Sequence, residues 1–309
     1  MALWDNIQGK WKLANGIWTD DSGNGNTLTA SGSAPTAVAG FDGGANLAAQ
    51  FAGGNSQYLT ISDAAQVGLD ITGAITISLR VKPGNLSIAK YYVAKHGASG
   101  NYGYTLGQSA GNKFTFSLSS DGTALTTVAS NTTLATGTWY HIVAVYNGTD
   151  MRIYVNDVLD CTPVAYTSGI VNNSQGLYLG CTSVPNTYMT GTLDDVAIWS
   201  RALSAQEASD LYWLLTDDFA TAYMVSGVVK DKNGNTIDCS VYNVRVNAYP
   251  KNNTASAPVR STLVAAANGA WILPKLTNGT KYLVTFEYEG KYAPSADWNI
   301  AGAEFMTAA

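Results

Sequence analysis

Charge is what this chain has least of. Only 13% of its 309 residues are Asp, Glu, Lys or Arg, against about 25% in an average soluble domain. The 17 basic residues are dispersed and outnumbered by 22 acidic ones, leaving a net charge of −5. A phosphate backbone is bound by clustered Lys and Arg, so nucleic acid is excluded as a partner. Histidine is nearly absent: His96 and His141 are the only two. Of the three cysteines, Cys161 and Cys181 can meet across strands, but free half-buried thiols are the expectation. No apolar run approaches the roughly eighteen residues of a membrane span, so no membrane partner is expected. Met1-Ala-Leu-Trp-Asp lacks the basic start and apolar centre of a secretory signal, so export is not expected either.

Gly, Asn, Ser and Thr fill the gap left by charge, while 46% of the residues are hydrophobic. That mixture favours turns and packed β-structure over helix or disorder. Strands are expected over 57–62, 75–82, 91–95, 103–107, 113–119, 123–130 and 176–180, separated by Gly, Asn and Ser clusters. An opening strand within 4–18 is expected to carry Trp4, Trp11 and Trp18 toward a core. The stretch from Thr138 to Leu159 reads as a hairpin, with β-rich runs 139–146 and 151–155 around Asn147-Gly148. Ile142-Val143-Ala144-Val145 is apolar on both faces, which suits a central strand. Ser204-Ala205-Gln206-Glu207 forms a capping box, and Leu203, Leu211 and Leu214-Leu215 give the following segment an apolar side. One short helix is therefore predicted near 204–215. After a connector at 217–222, strand patterns restart over 225–229, 244–248, 263–265, 271–273 and 281–289.

Four ordered motifs carry a family resemblance. They are Asp21-Ser22-Gly23-Asn24-Gly25-Asn26, then Ile75-Thr76-Ile77-Ser78-Leu79-Arg80-Val81-Lys82-Pro83, then the hairpin with Trp139-Tyr140-His141 and Arg152-Ile153-Tyr154-Val155-Asn156. The last is Gly191-Thr192-Leu193-Asp194-Asp195-Val196-Ala197-Ile198-Trp199, followed by Arg201-Ala202-Leu203-Ser204 and Glu207. Together they resemble laminin-G-like domains of the concanavalin-A type. The resemblance implies an all-β fold, a concanavalin-A-like jelly-roll sandwich over residues 1–216. Beyond the linker, residues 223–309 resemble a smaller carboxypeptidase-regulatory-like (transthyretin-like) β-sandwich, of the kind appended to bacteriophage structural proteins.

Concanavalin-type folds include glycosidases, which need two carboxylates at a fixed separation across one bond. Asp194-Asp195 is the one strand-borne acidic pair, and neighbouring strand residues point to opposite faces, so it reads as structural. No Gly-x-Ser-x-Gly elbow, His-Glu-x-x-His helix or phosphate loop is present, and no catalytic residue is assigned. Glycan binding calls for aromatic platforms beside amides. Asn101, Tyr102 and Tyr104, near Gln108 and Asn112, and Asn186 with Tyr188 are the candidates, on expected rim loops. No cofactor is required. Calcium is the one cation worth weighing, because Asp20, Asp21, Asn24 and Asn26 put four oxygen-bearing side chains in one loop. Turn composition alone also accounts for that loop.

These readings converge on a non-enzymatic virion protein: a phage head-decoration, fibre or tail component with a lectin-like domain for glycans. Its partners would be other virion proteins, with the chain present as a homo-oligomer or in many copies in an assembly. It would be made in the host cytoplasm and located in the virion. The C-terminal module is the expected anchor, through an exposed edge strand at 225–229 or 282–288. The alternative is a bacterial extracellular or cell-surface carbohydrate-binding module.

Overall fold

The computed structural model describes residues 3–41, 43–45, 47–184 and 187–213, and beyond these the backbone of six strands between 225 and 307. The chain divides into two compact units, 1–216 and 217–309. Cys239, Asn186, the linker 217–222 and the expected helical residues 214–215 lie outside the described residues.

The first unit is an all-β jelly-roll sandwich. Its strands are β1 (Ile7–Trp11), β2 (Thr29–Ser31), β3 (Thr36–Val38), β4 (Ala48–Phe51), β5 (Tyr58–Ile61), β6 (Ile75–Pro83), β7 (Lys90–Lys95) and β8 (Tyr104–Gln108). They continue as β9 (Phe114–Leu118), β10 (Thr126–Ala129), β11 (Tyr140–Tyr146), β12 (Asp150–Val155), β13 (Val158–Leu159), β14 (Val164–Ala165), β15 (Leu177–Leu179) and β16 (Gly191–Trp199). Helix α1 (Ala205–Trp213) follows. A nine-stranded antiparallel sheet runs β13-β12-β11-β6-β16-β4-β3, with β1 beside β16 and β14 beside β12. A seven-stranded antiparallel sheet runs β10-β9-β8-β7-β15-β5-β2.

Period-two alternation explains the sandwich. Ile75, Ile77, Leu79 and Val81 of β6, and Ile142, Ala144 and Tyr146 of β11, enter the core between the sheets, where they meet Leu106, Phe116 and Leu118. Burying each such large side chain is worth about 1.5–3 kcal/mol. The outward residues of β11, Val143 and Val145, do not reach water. They join Tyr154, Ala197 and Trp199 beneath Leu203, Ala208 and Leu211 of the α1 region. The two-sided apolar character of β11 therefore has two causes: the facing sheet on one side and the helix on the other.

The hairpin forms as expected. Gly148 takes φ 91°, and the Asn147 Oδ1 accepts hydrogen bonds from the Thr149 and Asp150 main-chain N–H groups. The capping box also forms: the Glu207 N–H donates to Ser204 Oγ at 3.2 Å, and the Ser204 N–H to Glu207 Oε2 at 2.8 Å. Several strands come out shorter than their patterns, two of them for visible reasons. β10 begins only at Thr126, because the Asp121 carboxylate captures the N–H groups of Thr123 and Ala124. The opening strand stops at Trp11, where Leu13 and Asn15 adopt left-handed backbone around a single 3-10 turn.

In the second unit, β17 (Val225–Val228) pairs with β20 (Ala270–Leu273). A four-stranded antiparallel sheet runs β19 (Arg260–Val264), β18 (Asn243–Pro250), β21 (Lys281–Glu289), β22 (Glu304–Thr307). The expected edge at 282–288 is corrected here. β21 is paired with β18 on one side and, over Lys281–Val284, with β22 on the other.

Candidate functional site

The sandwich has two outer faces, and their chemistry differs. On the nine-stranded sheet the outward residues of β6 are Thr76, Ser78 and Arg80, all buried under α1 and the N-terminal segment. Thr76 Oγ1 donates to the Arg201 carbonyl and accepts from the Leu203 N–H, which ties the helix entry to β6. Arg80, 1% exposed, places Nε 3.0 Å from Asp195 Oδ2 and donates from Nη2 to the Leu211 and Tyr212 carbonyls at 3.3 Å. A cation at the last turn of a helix is favourably placed. Its guanidinium also lies 4.4 Å from the centroid of the Phe41 ring.

A bulge between Asp194 and Ala197, with Asp195 at φ 53°, interrupts the alternation of β16. The expectation that this acidic pair points to opposite faces of a regular strand is thereby corrected. Asp194 pairs in register with Arg80 and accepts the Phe41 N–H, while Asp195 meets the Arg80 guanidinium. Both carboxylates stay in one buried network. The adjoining cavity, lined by Arg80, His141 and Asp195 among others, holds about 20 Å³, enough for one water and not for a sugar. His141 shares a hydrogen bond with Ser78, and burial and then Arg80 push its pKa well below the usual imidazole value.

No helix covers the outer face of the seven-stranded sheet among the described residues. Residues opposite each other in antiparallel register share a face. The pairings Thr29–Thr60, Thr60–Tyr178, Tyr178–Ala94, Ala94–Thr105, Thr105–Ser117 and Ser117–Thr127 thus define one line across all seven strands. It contains hydroxyls, one alanine and one tyrosine, and no charge; Ala94, Thr105 and Ser117 in its middle are buried, while Thr29, Thr60, Tyr178 and Thr127 reach solvent. Thr60 Oγ1 donates to the Leu177 carbonyl at 2.9 Å, and Ser117 Oγ lies 2.7 Å from Thr127 Oγ1. A hydroxyl that donates once keeps acceptor capacity.

Two aromatic groups lie on this sheet. Tyr58 stacks with Tyr188 at 6.0 Å and meets Tyr178 at 5.9 Å. His96 is sandwiched between Tyr102, 4.4 Å away at 14°, and Tyr91, 5.9 Å away at 22°. Burial lowers the His96 pKa to about 4, so this ring is neutral at pH 7, and its buried Nδ1 has no hydrogen-bond partner. Desolvation raises Tyr91 and Tyr178, with Tyr102 adding to the first and Cys181 and then Tyr58 to the second.

Of the sequence-predicted glycan residues, Tyr102 and Tyr188 take part in these two groups. Asn101 is half-buried beside Tyr102, and its carbonyl accepts from the Gly97 N–H and the Asn173 amide. Tyr104 is corrected. It is 1% exposed, faces the inter-sheet core in register with Leu118, and donates its hydroxyl to the Leu69 carbonyl. Gln108 is likewise buried, accepting from Tyr92 and donating to the Asn85 and Ile88 carbonyls. Tyr58, Tyr91, His96 and Tyr178 were not among the sequence-based candidates. The signal for Tyr178 was its place between two apolar neighbours, Leu177 and Leu179, both buried.

The 20–26 loop does not fit a calcium site. Asp20 Oδ1 accepts the Lys10 and Ser22 N–H groups, and Oδ2 accepts Ser22 Oγ and the Asn26 N–H. Asn26 is fully buried, with Oδ1 on the Val67 N–H and Nδ2 on the Gln8 and Val67 carbonyls. Asn24 turns its amide nitrogen to the Ile7 and Gln8 carbonyls. The side chains staple the loop to β1 and to residue 67, while a calcium ion needs six to eight oxygens turned inward. Among the described residues no group of three or more His, Cys, Asp or Glu could hold a metal ion.

A family model described as the concanavalin A-like lectin/glucanases superfamily matches residues 53–209. The binding domain of paraclostridial mosquitocidal protein 1 superposes with a TM-score of 0.57 at 13% identity, covering 92% of this chain and 76% of its own. The binding domain of botulinum neurotoxin DC, solved with rat synaptotagmin II and with SialylT, gives a TM-score of 0.56 at 13% identity, covering 95% and 76%. At that identity the likeness is one of fold. No curated protein matches the chain by sequence. With the family model covering half of its residues, the chain belongs to the concanavalin A-like lectin/glucanases superfamily.

Proposed function

We propose that this member of the superfamily is a non-catalytic carbohydrate-binding module that engages glycans on the outer face of its seven-stranded sheet. One observation carries the reading: an uncharged line of hydroxyl, small and tyrosyl residues crosses the sheet, buried at Ala94, Thr105 and Ser117 and accessible at Thr60 and Tyr178, where the Tyr178 ring meets Tyr58. Sugar rings present apolar C–H faces and a fringe of hydroxyls, and tyrosine joins an apolar ring to a polar tip. The related toxin domain solved with SialylT supports a binding role rather than turnover. The acidic pair supports it too, since both carboxylates are committed beneath α1. A glycan array on the full chain should yield ligands whose affinity falls about tenfold or more in Tyr58→Ala and Tyr178→Ala, as loss of one stacking or hydrogen-bonding contact predicts. Absence of any glycan ligand, or unchanged affinity in both variants, overturns the reading. Hydrolysis of a polysaccharide lost on replacing Asp194 or Asp195 overturns its non-catalytic part.

The wider setting we propose is a virion, where many copies display this face and the second unit docks on other virion proteins. The C-terminal resemblance to phage-borne sandwiches supports it, and mass spectrometry of purified particles tests it. Detection on a bacterial surface instead would favour the extracellular adhesion module.

A further inference from the structure

We infer that the glycan surface is a neutral-sugar site centred on Tyr58, Tyr178 and Tyr188, and that it excludes acidic glycans. This rests on the sheet-face reading and adds to it the class of ligand and a third ring. The poverty of charge in this chain is not uniform. Residues 22–62 contain one charged residue, Asp42, and residues 161–193 contain none. These two stretches supply β2, β5 and β15, which lie side by side at one edge of the seven-stranded sheet, and the segment that carries Tyr188. Asp42 lies outside the described residues, and Phe41 before it sits against Arg80 of the nine-stranded sheet.

Tyr58 and Tyr178 stand outward on strands whose inward residues, Leu59, Ile61, Leu177 and Leu179, fill the core. Tyr58 lies between the other two rings, at 22° to Tyr188 and 43° to Tyr178, and all three are half-buried and reach solvent. Tyr188 is held there without a ligand. The Met189 N–H donates to the Gly180 carbonyl at 2.7 Å, and a Cβ on Gly53 would come within 2.9 Å of the Tyr188 carbonyl. Thr29 and Thr60 donate their hydroxyls to the Thr60 and Leu177 carbonyls, so each keeps lone pairs for the O–H groups of a sugar. The bordering charges are already matched. Lys95 follows Ala94, the partner of Tyr178; its side chain is 3% exposed and holds Asp63 at 2.7 Å and Asp70 at 2.8 Å. Lys90 is buried at the far end of the same strand, in register with Gln108. A carboxylate or sulfate that gave up water here would meet no cation on β2, β5 or β15, and an unpaired charge is costly to desolvate. A neutral ring gives up only the hydration of its hydroxyls, and its C–H face rests on the tyrosines.

The test presents the full chain with matched glycans on an array, followed by calorimetry: N-acetyllactosamine with its sialylated and sulfated forms, and gluco-oligosaccharides with their uronic-acid counterparts. Neutral members should bind, and acidic counterparts should bind about tenfold or more weakly. Raising the salt concentration should leave neutral binding unchanged, because no ion pair contributes to it. Tyr188→Ala should weaken neutral binding about tenfold. Thr29→Lys, at an exposed position in register with Thr60, should narrow the gap between neutral and acidic members by supplying the missing cation. It also keeps the test decisive if Tyr188→Ala fails to fold. Binding that is lost in Tyr58→Ala yet equal or tighter for acidic members would overturn this inference and leave the sheet face standing. Wild-type affinity in a folded Tyr188→Ala, or an unchanged gap in Thr29→Lys, would do the same. Absence of any glycan ligand would overturn both readings.

Discussion

The two outer faces of the sandwich come from the same strand alternation, yet one is built from charge buried beneath a helix and the other from uncharged residues that reach solvent at Thr60 and Tyr178. On the nine-stranded side, outward positions hold Arg80, His141 and Ser78 with Val143, Val145 and Trp199, and α1 closes over them. The polar groups there are tied to one another: Arg80 to Asp195 and the helix carbonyls, His141 to Ser78, Thr76 to the helix entry. On the seven-stranded side the outward line holds hydroxyls, alanine and tyrosine without charge. Charge in a fold this poor in it marks structure on the nine-stranded side, and the proposed glycan surface lies where the outward line carries none.

The largest expected consequence concerns Arg80. Removing one partner of a buried ion pair leaves the other charge uncompensated, typically at about 3–5 kcal/mol. Arg80→Ala should therefore unfold the first unit well below the wild-type melting temperature, as followed by calorimetry. A loss under about 1 kcal/mol would mean that the Asp195 network is dispensable and that the contrast between the faces is wrong.

Acid comes next, and it reaches both faces. His96 and His141 have native pKa values below the ordinary 6.5, His96 at about 4, both chiefly through burial. The unfolded chain then binds protons that the native one refuses. Their contribution to stability is complete above the unfolded pKa and is lost as pH falls through 6.5 toward the native values. Stability should drop between pH 7 and 4, and His96→Phe, which keeps the aromatic stack, should reduce that slope. Urea unfolding at both pH values measures it; an unchanged slope in His96→Phe would deny the histidine its neutral, stacked state.

Much of this contrast was legible in sequence, and the rest was not for physical reasons. The Ile75–Pro83 and Tyr140–Tyr146 strands, the Asn-Gly turn and the helix cap declare themselves locally, through alternation, positive φ and reciprocal capping. Two- and three-residue strands such as Thr36–Val38 and Val164–Ala165 are too short to show a period and exist through their partners. The site was half visible. Tyr102 and Tyr188 stood beside asparagines, but Tyr104 went astray because nothing local says which way a strand presents its tyrosines. The line from Thr29 to Thr127 joins residues nearly a hundred positions apart, and only register assembles it.

A smaller effect separates stability from the proposed glycan binding on the seven-stranded side. Tyr178 is half-buried, and among the described residues its ring meets the Tyr58 ring. Tyr178→Ala should cost roughly 1 kcal/mol or less, within the range of surface substitutions that keep the core intact. A loss as large as that of Arg80→Ala would make this ring part of the scaffold, and its effect on glycan binding would then be indirect.

The smallest effect expected is none, and it concerns the 20–26 loop. By its hydrogen bonds the loop sorts with the nine-stranded face: Asp20 accepts four, and the Asn24 and Asn26 amides are turned to main-chain carbonyls. Asp21 differs, being exposed. If the loop is held by its own staples, chelator should leave the melting temperature unchanged, and Asp21→Ala should shift stability by no more than about 0.5 kcal/mol. Asp20→Ala should be felt, because it orphans the Lys10, Ser22 and Asn26 N–H groups together. A chelator-induced fall in melting temperature that Asp21→Ala abolishes would show the opposite: that an ion, and not the Asp20 carboxylate, organises the loop.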